Sequence, residues 1–374
     1  MTDKHLHIVC LDVPYPADYG GVFDLFYKIQ SLYGLGIKIH LHCFEYGRGR
    51  QEELNKYCQS VNYYERKSFF KSFSFRLPFI VTSRSNQGLL NNLLKDDCPV
   101  LLEGIHCTYF LYSGGLKNRK VIVRLHNVEY EYYEELSKTT GNIFKKNYYS
   151  LESILLKKYE KEIANKCMFV TVSEKDKETY QQKFDVKNIE YVPVFLPYND
   201  VKSEQGSDNF CLYHGNLSVP ENEKAALWLM KNVFNSLDIP FVIAGKNPSE
   251  RLKSVTHSNE NFCIAANLSE KEMDDLIRKA HVNILPSFNK TGIKIKLLNA
   301  LFNGRYVVTN PVAVEESALA SICEIADSAS GFKKIIKELF KKSFTQIEID
   351  KRKKILKSIY DNHANAVKLI QLIW

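Results

Sequence analysis

The chain has 374 residues, 45% of them hydrophobic and 25% charged, and its 51 basic and 43 acidic side chains give a formal net charge of +8. That length exceeds one ordinary α/β core and suits two, and the composition excludes a disordered chain. No uncharged apolar run reaches the roughly 18 residues of a membrane span, and the opening MTDKHLHIVCLDVPYP runs straight into Pro and Asp rather than a long leader. A cytosolic protein is the expectation. The basic surplus fits an anionic partner such as a nucleotide diphosphate or lipid headgroups; no nucleic-acid module is recognisable.

Short apolar runs alternate with longer amphipathic segments along the whole chain. Strands are predicted at residues 6–10, 38–44, 100–103, 120–125 and 168–172, then at 210–214, 241–245, 261–265, 282–285 and 306–309. Helices are predicted at 22–33, 151–166, 223–234, 270–280 and 294–302. Continuously apolar strands are buried on both faces, and helical crossovers favour parallel pairing. Two doubly wound Rossmann-like α/β domains facing a cleft are the simplest solution. The two prolines and the polar stretch that follows place a linker at 197–208, between domains at 1–197 and 198–350. Residues 351–374 form a lysine-rich helix with an apolar end that needs a surface, expected to be the first domain. The nine cysteines are odd in number and lack a CxxC pair, so no zinc site is expected. Cys10, Cys43, Cys107, Cys167, Cys211 and Cys263 sit in apolar runs and read as small buried hydrophobes.

Chemistry concentrates where strands end in glycine turns. Gly20 and Gly21 follow the first strand and open the first helix, where a ligand can approach the backbone and free N–H groups meet an anion. This is not the GxGxxG dinucleotide fingerprint. His126 follows a buried strand directly, at the sheet end where ligands gather, and is the candidate catalytic group, able to donate to a sugar hydroxyl or phosphate oxygen. Glu129 is expected to orient it or touch the acceptor. Gly215 and Asn216 open the second domain, and Lys246 follows the strand ending at Gly245. The most specific segment runs from residue 284 to 304: a strand, a Ser/Asn/Thr/Gly loop, then an amphipathic helix. Backbone amides from Thr291 through Gly292 and Ile293 to Lys294 point at an anion there, Lys294 and Lys296 add charge, and Asn299 is placed to reach a ribose.

The ordered motifs P-x-P-x-x-Y-G-G, H-N-x-E, V-S-E-K-D, G-N-x-S, A-G-K-N-P and G-x-K-x-K-x-L-N-A-L-x-N-G-R-x-V-V, spread over residues 5–315, resemble retaining B-fold glycosyltransferases of the family-four kind. They are especially similar to those of bacterial capsule and surface-polysaccharide clusters. The resemblance implies metal-independent hexosyl transfer, without a cofactor, from an NDP-sugar held by the second domain to a glycan or lipid-linked acceptor on the first. It also implies that the donor phosphate itself takes the acceptor proton. The family's two glutamates around the 291–299 turn are absent, with Asn299 at the second, and Lys294 and Lys296 are expected to replace phosphate-binding charge missing after Gly215. No carboxylate pair is marked out for a hydrolase scheme. A sugar-nucleotide epimerase and a non-catalytic nucleotide-binding or partner protein are the alternatives within the fold.

One further segment, residues 65–79, interleaves Phe70, Phe73 and further phenylalanines with Lys71 and Arg76. Such a basic-aromatic stretch can lie in an anionic membrane interface or grip a lipid-linked acceptor, which predicts peripheral contact with the inner face of the cytoplasmic membrane.

Overall fold

The computed structural model describes residues 3–17, 20–257, 259–289, 292–315 and 319–374. The chain forms two compact units, Met1–Pro197 with Tyr360–Trp374, and Tyr198–Ile359.

In the first unit, seven strands pair in parallel: β1 (His5–Cys10), β2 (Lys38–Glu45), β3 (Ser60–Glu65), β4 (Val100–Glu103), β5 (Val121–Leu125), β6 (Met168–Thr171) and β7 (Ile189–Tyr191). Their order is β3-β2-β1-β4-β5-β6-β7. The central strands are buried on both faces, and one hydrophobic cluster lies on each side of the sheet. The second unit has six parallel strands, β8 (Cys211–His214), β9 (Phe241–Gly245), β10 (Phe262–Ala266), β11 (Val282–Ile284), β12 (Tyr306–Thr309) and β13 (Glu324–Ile325), in the order β10-β9-β8-β11-β12-β13. Both sheets are doubly wound, and each reverses strand order between β1 and β4 or between β8 and β11, the point at which such sheets bind ligands.

Two boundaries differ from the sequence reading. Residues 198–208 are not a free linker: Lys202 N donates to Phe302 O, Ser203 Oγ donates to Gly304 O at 2.6 Å, and Gly206 bridges Phe344. Their backbone is paired onto the second unit. The last change of unit falls at residue 359, later than 350, because helix Gln346–Tyr360 is anchored in the second unit by Arg352, which donates to the carbonyls of Gly304 (2.7 Å) and Arg305. Asp361 then caps a new helix, Asn362–Ile373, whose Ala366, Leu369 and Ile373 join Leu25, Ile29 and Leu32 in the core of the first unit.

Cys10, Cys43, Cys107 and Cys211 are buried and all nine thiols are free; Cys167 is half-buried. Cys263 is exposed, contrary to the sequence reading, because β10 is an edge strand.

Candidate functional site

In the first unit the site grows from the carboxyl ends of β4 and β5. Helix Gly20–Gly34 opens on Gly20 and Gly21, and Asp24 and Lys28, one turn apart on it, point inward. Arg124 in β5 makes a two-pronged pair with Asp24 (Nε–Oδ2 2.9 Å, Nη2–Oδ1 2.8 Å) and donates to the carbonyls of Val192 and Pro193. Lys28 Nζ lies 3.0 Å from Asp24 and 2.8 Å from Glu103, the last residue of β4. Glu103 in turn accepts from His126 Nε2 at 3.0 Å. Two buried cations thus face two buried carboxylates, a balance that lets charges leave water. Burial would raise both carboxyls, but Arg124 and Lys28 hold Asp24 well below its ordinary range, and Lys28 and His126 lower Glu103. His126, with 12% of its side chain exposed, is the open end of this chain.

The partner of His126 is therefore Glu103 and not Glu129, correcting the expectation that Glu129 orients it. Glu129 begins helix Glu129–Thr139, is buried, and burial pushes its carboxyl up to about 7. The amide of Glu129 is capped by Glu160 at 3.0 Å from helix Ile143–Ile163, and Glu152 on the same helix accepts from Phe79 N at 2.8 Å. Buried carboxyls of one long helix thus seat the N-termini of two others.

Among the described residues, the ligand atoms of Asp24, Glu103 and His126 lie within 4.8 Å of one another, as do those of His7, Asp96 and Cys98. Lys28 supplies a cation to the first group, and Arg119 Nη2, 3.3 Å from Asp96, supplies one to the second.

In the second unit, β8 ends in His214 and Gly215, and the chain passes so close to β9 that a Cβ on Gly245 would lie 1.8 Å from Gly215 O. Only glycine fits there. Asn216 spends its side chain on its own turn, accepting from Ser218 N (3.1 Å) and Ser218 Oγ (2.7 Å). Lys246 is exposed after β9. Thr291 lies outside the described residues. Gly292 has φ +71°, Ile293 is half-buried, and Lys294 precedes helix Ile295–Asn303 and donates to Gly292 O at 2.8 Å. Lys296 reaches the end of β8: its Nζ donates to Asn222 Oδ1 at 2.9 Å and Tyr213 Oη at 3.1 Å, and lies 4.8 Å from the Tyr213 ring centroid. Burial, then Lys294, pushes its ammonium down to about 8. Beside it His214 Nε2 is buried without a hydrogen-bond partner, and burial followed by the Lys296 charge pushes that imidazole down to about 3. Asn299, about one turn into helix Ile295–Asn303, accepts from Asn303 Nδ2 at 2.7 Å within that helix.

The structure thus brings Gly215, Gly292, Lys294 and Lys296 to one end of the second sheet, and leaves Asn216 and Asn299 engaged locally. Sequence reasoning missed Tyr213, His214 and Asn222 there, and Asp24, Lys28, Glu103 and Arg124 in the first unit. A signal existed for the latter set: a charge inside an apolar strand, and an Asp–Lys pair one turn apart in an apolar helix.

The aromatic segment forms the short helix Phe69–Ser72 and the loop after it. Phe70 is 95% exposed and Phe75 77%, whereas Phe73 packs at 4.9 Å from the centroids of both Phe69 and Phe75. Phe69 also meets Tyr148, one turn beyond Phe144, which is 82% exposed. No described helix is long and apolar enough to cross a membrane.

Residues 208–342 match the family described as Glycosyl transferases group 1. An uncharacterized 44.6 kDa protein in the cps region of Klebsiella pneumoniae is 29% identical over 331 residues, spanning 82% of this chain and 83% of that protein. Among solved structures, TarM superposes with a TM-score of 0.68 at 11% identity over 100% of this chain and 99% of its own. Anabaena HepE, in complex with UDP and glucose, gives 0.65 at 10% identity over 98% of each chain. A glycosyltransferase from Rickettsia africae gives 0.60 at 15% identity over 100% of this chain and 96% of that one. Residues 208–342 thus match a group 1 glycosyl transferase domain, and the chain as a whole shares the two-unit B-type fold of these solved structures.

Proposed function

We propose that the protein moves a hexose-type sugar from an NDP-sugar to a glycan or lipid-linked acceptor in surface-polysaccharide synthesis, retaining the anomeric configuration and using no metal. The observation that carries this reading is Lys296, a cation held by Tyr213 and Asn222 at the end of β8, beside the unpartnered His214 Nε2. Transfer builds negative charge on the departing diphosphate. The N-terminal amides of helix Ile295–Asn303 and the two lysines meet that charge where it develops, which is the form of stabilisation that lowers a barrier. His126, the open end of the buried charge chain, donates to the sugar or its phosphate as the bond breaks. The relative from a cps region supports a role in polysaccharide synthesis, and the neighbour solved with UDP and glucose supports a nucleotide-sugar donor.

A panel of NDP-sugars tests the reading: one should raise the melting temperature, because a ligand that binds only the folded state stabilises it, and the same one should be turned over. Asn299, where the family has glutamate, favours one rival, a protein that binds nucleotide without turnover; stabilisation without hydrolysis or transfer would assign that role.

A further inference from the structure

Gly104, after β4, has φ +76°, and a Cβ there would lie 3.0 Å from His106 Nδ1 and 3.8 Å from His126 Cδ2. Two imidazoles therefore flank one point of the backbone. His106 Nδ1 is buried and has no hydrogen-bond partner, and Arg66 Nε is in the same condition. Helix Phe79–Thr82 packs on the turn that carries His106, Ile105–Cys107, and places Arg84 beside it. Arg84 is buried, with Nε and Nη2 donating to Leu11 O (3.1 and 2.9 Å) and Nη1 to Ile80 O (2.8 Å). Arg66 Nη2 donates to Ser83 Oγ at 3.3 Å, which brings the second guanidinium to the neighbour of Arg84. Among the described residues neither arginine pairs with a carboxylate.

We propose that Arg66, Arg84 and His106 form a subsite on the first unit for a phosphate group of the acceptor. A buried cation without a counterion is costly, and every other buried cation near β4 and β5 has one. The guanidinium fork of Arg66, whose Nε is unpartnered, matches phosphate oxygens, Arg84 adds its charge while Leu11 O and Ile80 O hold its own fork in place, and His106 Nδ1 adds a further donor when protonated. Burial, followed by Arg66, pushes Arg84 down to about 10; burial, followed by Arg84, His126 and Arg66, pushes His106 well below its ordinary range. A bound anion relieves that crowding. Of the carboxyls in this region, Glu103 is committed to Lys28 and His126, Glu129 is neutral below about 7, and Asp12 is the weakest of the charges acting on Arg84. Arg66 lies over the Tyr46 ring at 4.3 Å and near Phe79 at 5.8 Å, at the foot of the exposed phenylalanine surface. That neighbourhood favours a phosphate carried on an apolar chain over one carried on a glycan.

This inference rests on the first unit holding the acceptor, but it is read by binding alone, so a failure of turnover does not decide it. Full-length protein labelled at histidine is titrated with inorganic phosphate and with geranyl phosphate while the His106 imidazole resonance is followed. A saturable shift is expected with both, lost in Arg66→Gln and kept in Lys296→Ala. Geranyl phosphate binding at least tenfold tighter than inorganic phosphate identifies a lipid phosphate, and equal affinities identify a phosphate on the glycan. No saturable shift with either probe, or an unchanged shift in Arg66→Gln, overturns the proposal.

Discussion

His126 Nε2 lies 3.0 Å from Glu103 Oε2, and the other oxygen of that carboxylate lies 2.8 Å from Lys28. The histidine is thus fixed at one nitrogen by a buried, charge-balanced framework, and on the proposed reading its other nitrogen faces the substrate. Replacing His126 with Ala should lower turnover by about a hundredfold, in the range of a lost proton donor, and change donor affinity much less. Glu103→Gln should act differently. It leaves Lys28 and Arg124 facing Asp24 alone, and breaking a buried pair costs about 3–5 kcal/mol, seen as a large fall in melting temperature. Equal melting temperatures for Glu103→Gln and wild type would contradict the framework.

On the proposed reading, Lys296 gives donor binding a pH dependence. Its ammonium, pushed down to about 8, is charged below that pH and loses its proton above it. Diphosphate binding needs the charge, so donor affinity should be flat below pH 7 and fall as pH rises through about 8. The Lys294→Ala/Lys296→Ala protein should bind donor more than tenfold more weakly at pH 7, a change of roughly 1.4 kcal/mol, and should lose the alkaline fall. Calorimetry at pH 7 and pH 9 measures both.

The buried carboxyls set a stability profile. Burial raises Glu152 to about 7 from an ordinary value of 4.5. A raised carboxyl contributes stability that is complete below the unfolded value and lost as pH rises through the folded one. Each such group changes stability by up to about 1.4 kcal/mol per pH unit inside that window. Glu152→Gln keeps an acceptor for Phe79 N and removes the titration, so its urea stability should decline less than wild type between pH 5 and pH 8. His42, pushed down to about 3 by burial, acts in the opposite sense below pH 6.5 in both proteins, so the difference isolates Glu152. Parallel profiles would contradict the assignment.

How much of this was legible follows from where each residue sits. The ten strands read from sequence all exist within about a residue at either end, because continuous apolar runs report burial on both faces. The three that escaped, Ser60–Glu65, Ile189–Tyr191 and Glu324–Ile325, are all edge strands. Half-solvated or very short strands leave no apolar run to read. In the site, glycine turns and the Lys294–Lys296 segment were visible because their signal is local. The partners Glu103 and Asn222 were not, since 23 and 74 residues separate them from His126 and Lys296. Only pairing of β4 with β5, and of β8 with β11, brings those segments together.

The phenylalanine surface predicts membrane contact that fades with salt. Phe70 and Phe75 are the most exposed rings of the 69–79 segment, while Phe73 holds the cluster together, so Phe70→Ser/Phe75→Ser removes insertion with less damage than a change at Phe73. Flotation with anionic liposomes should show wild type bound at low salt and released at high salt, since screening acts over about 8 Å at physiological ionic strength. The double variant should stay unbound at both. Equal flotation of the two proteins would assign these rings a purely structural role.

The most direct test of the account is transfer itself, measured with a stabilising NDP-sugar and wild type beside the Lys294→Ala/Lys296→Ala and His126→Ala proteins. The account predicts sugar release or transfer by wild type without added metal, loss of donor binding in the lysine variant, and loss of turnover with donor still bound in the histidine variant. Tight donor binding with no turnover by wild type, under any acceptor supplied, would contradict it.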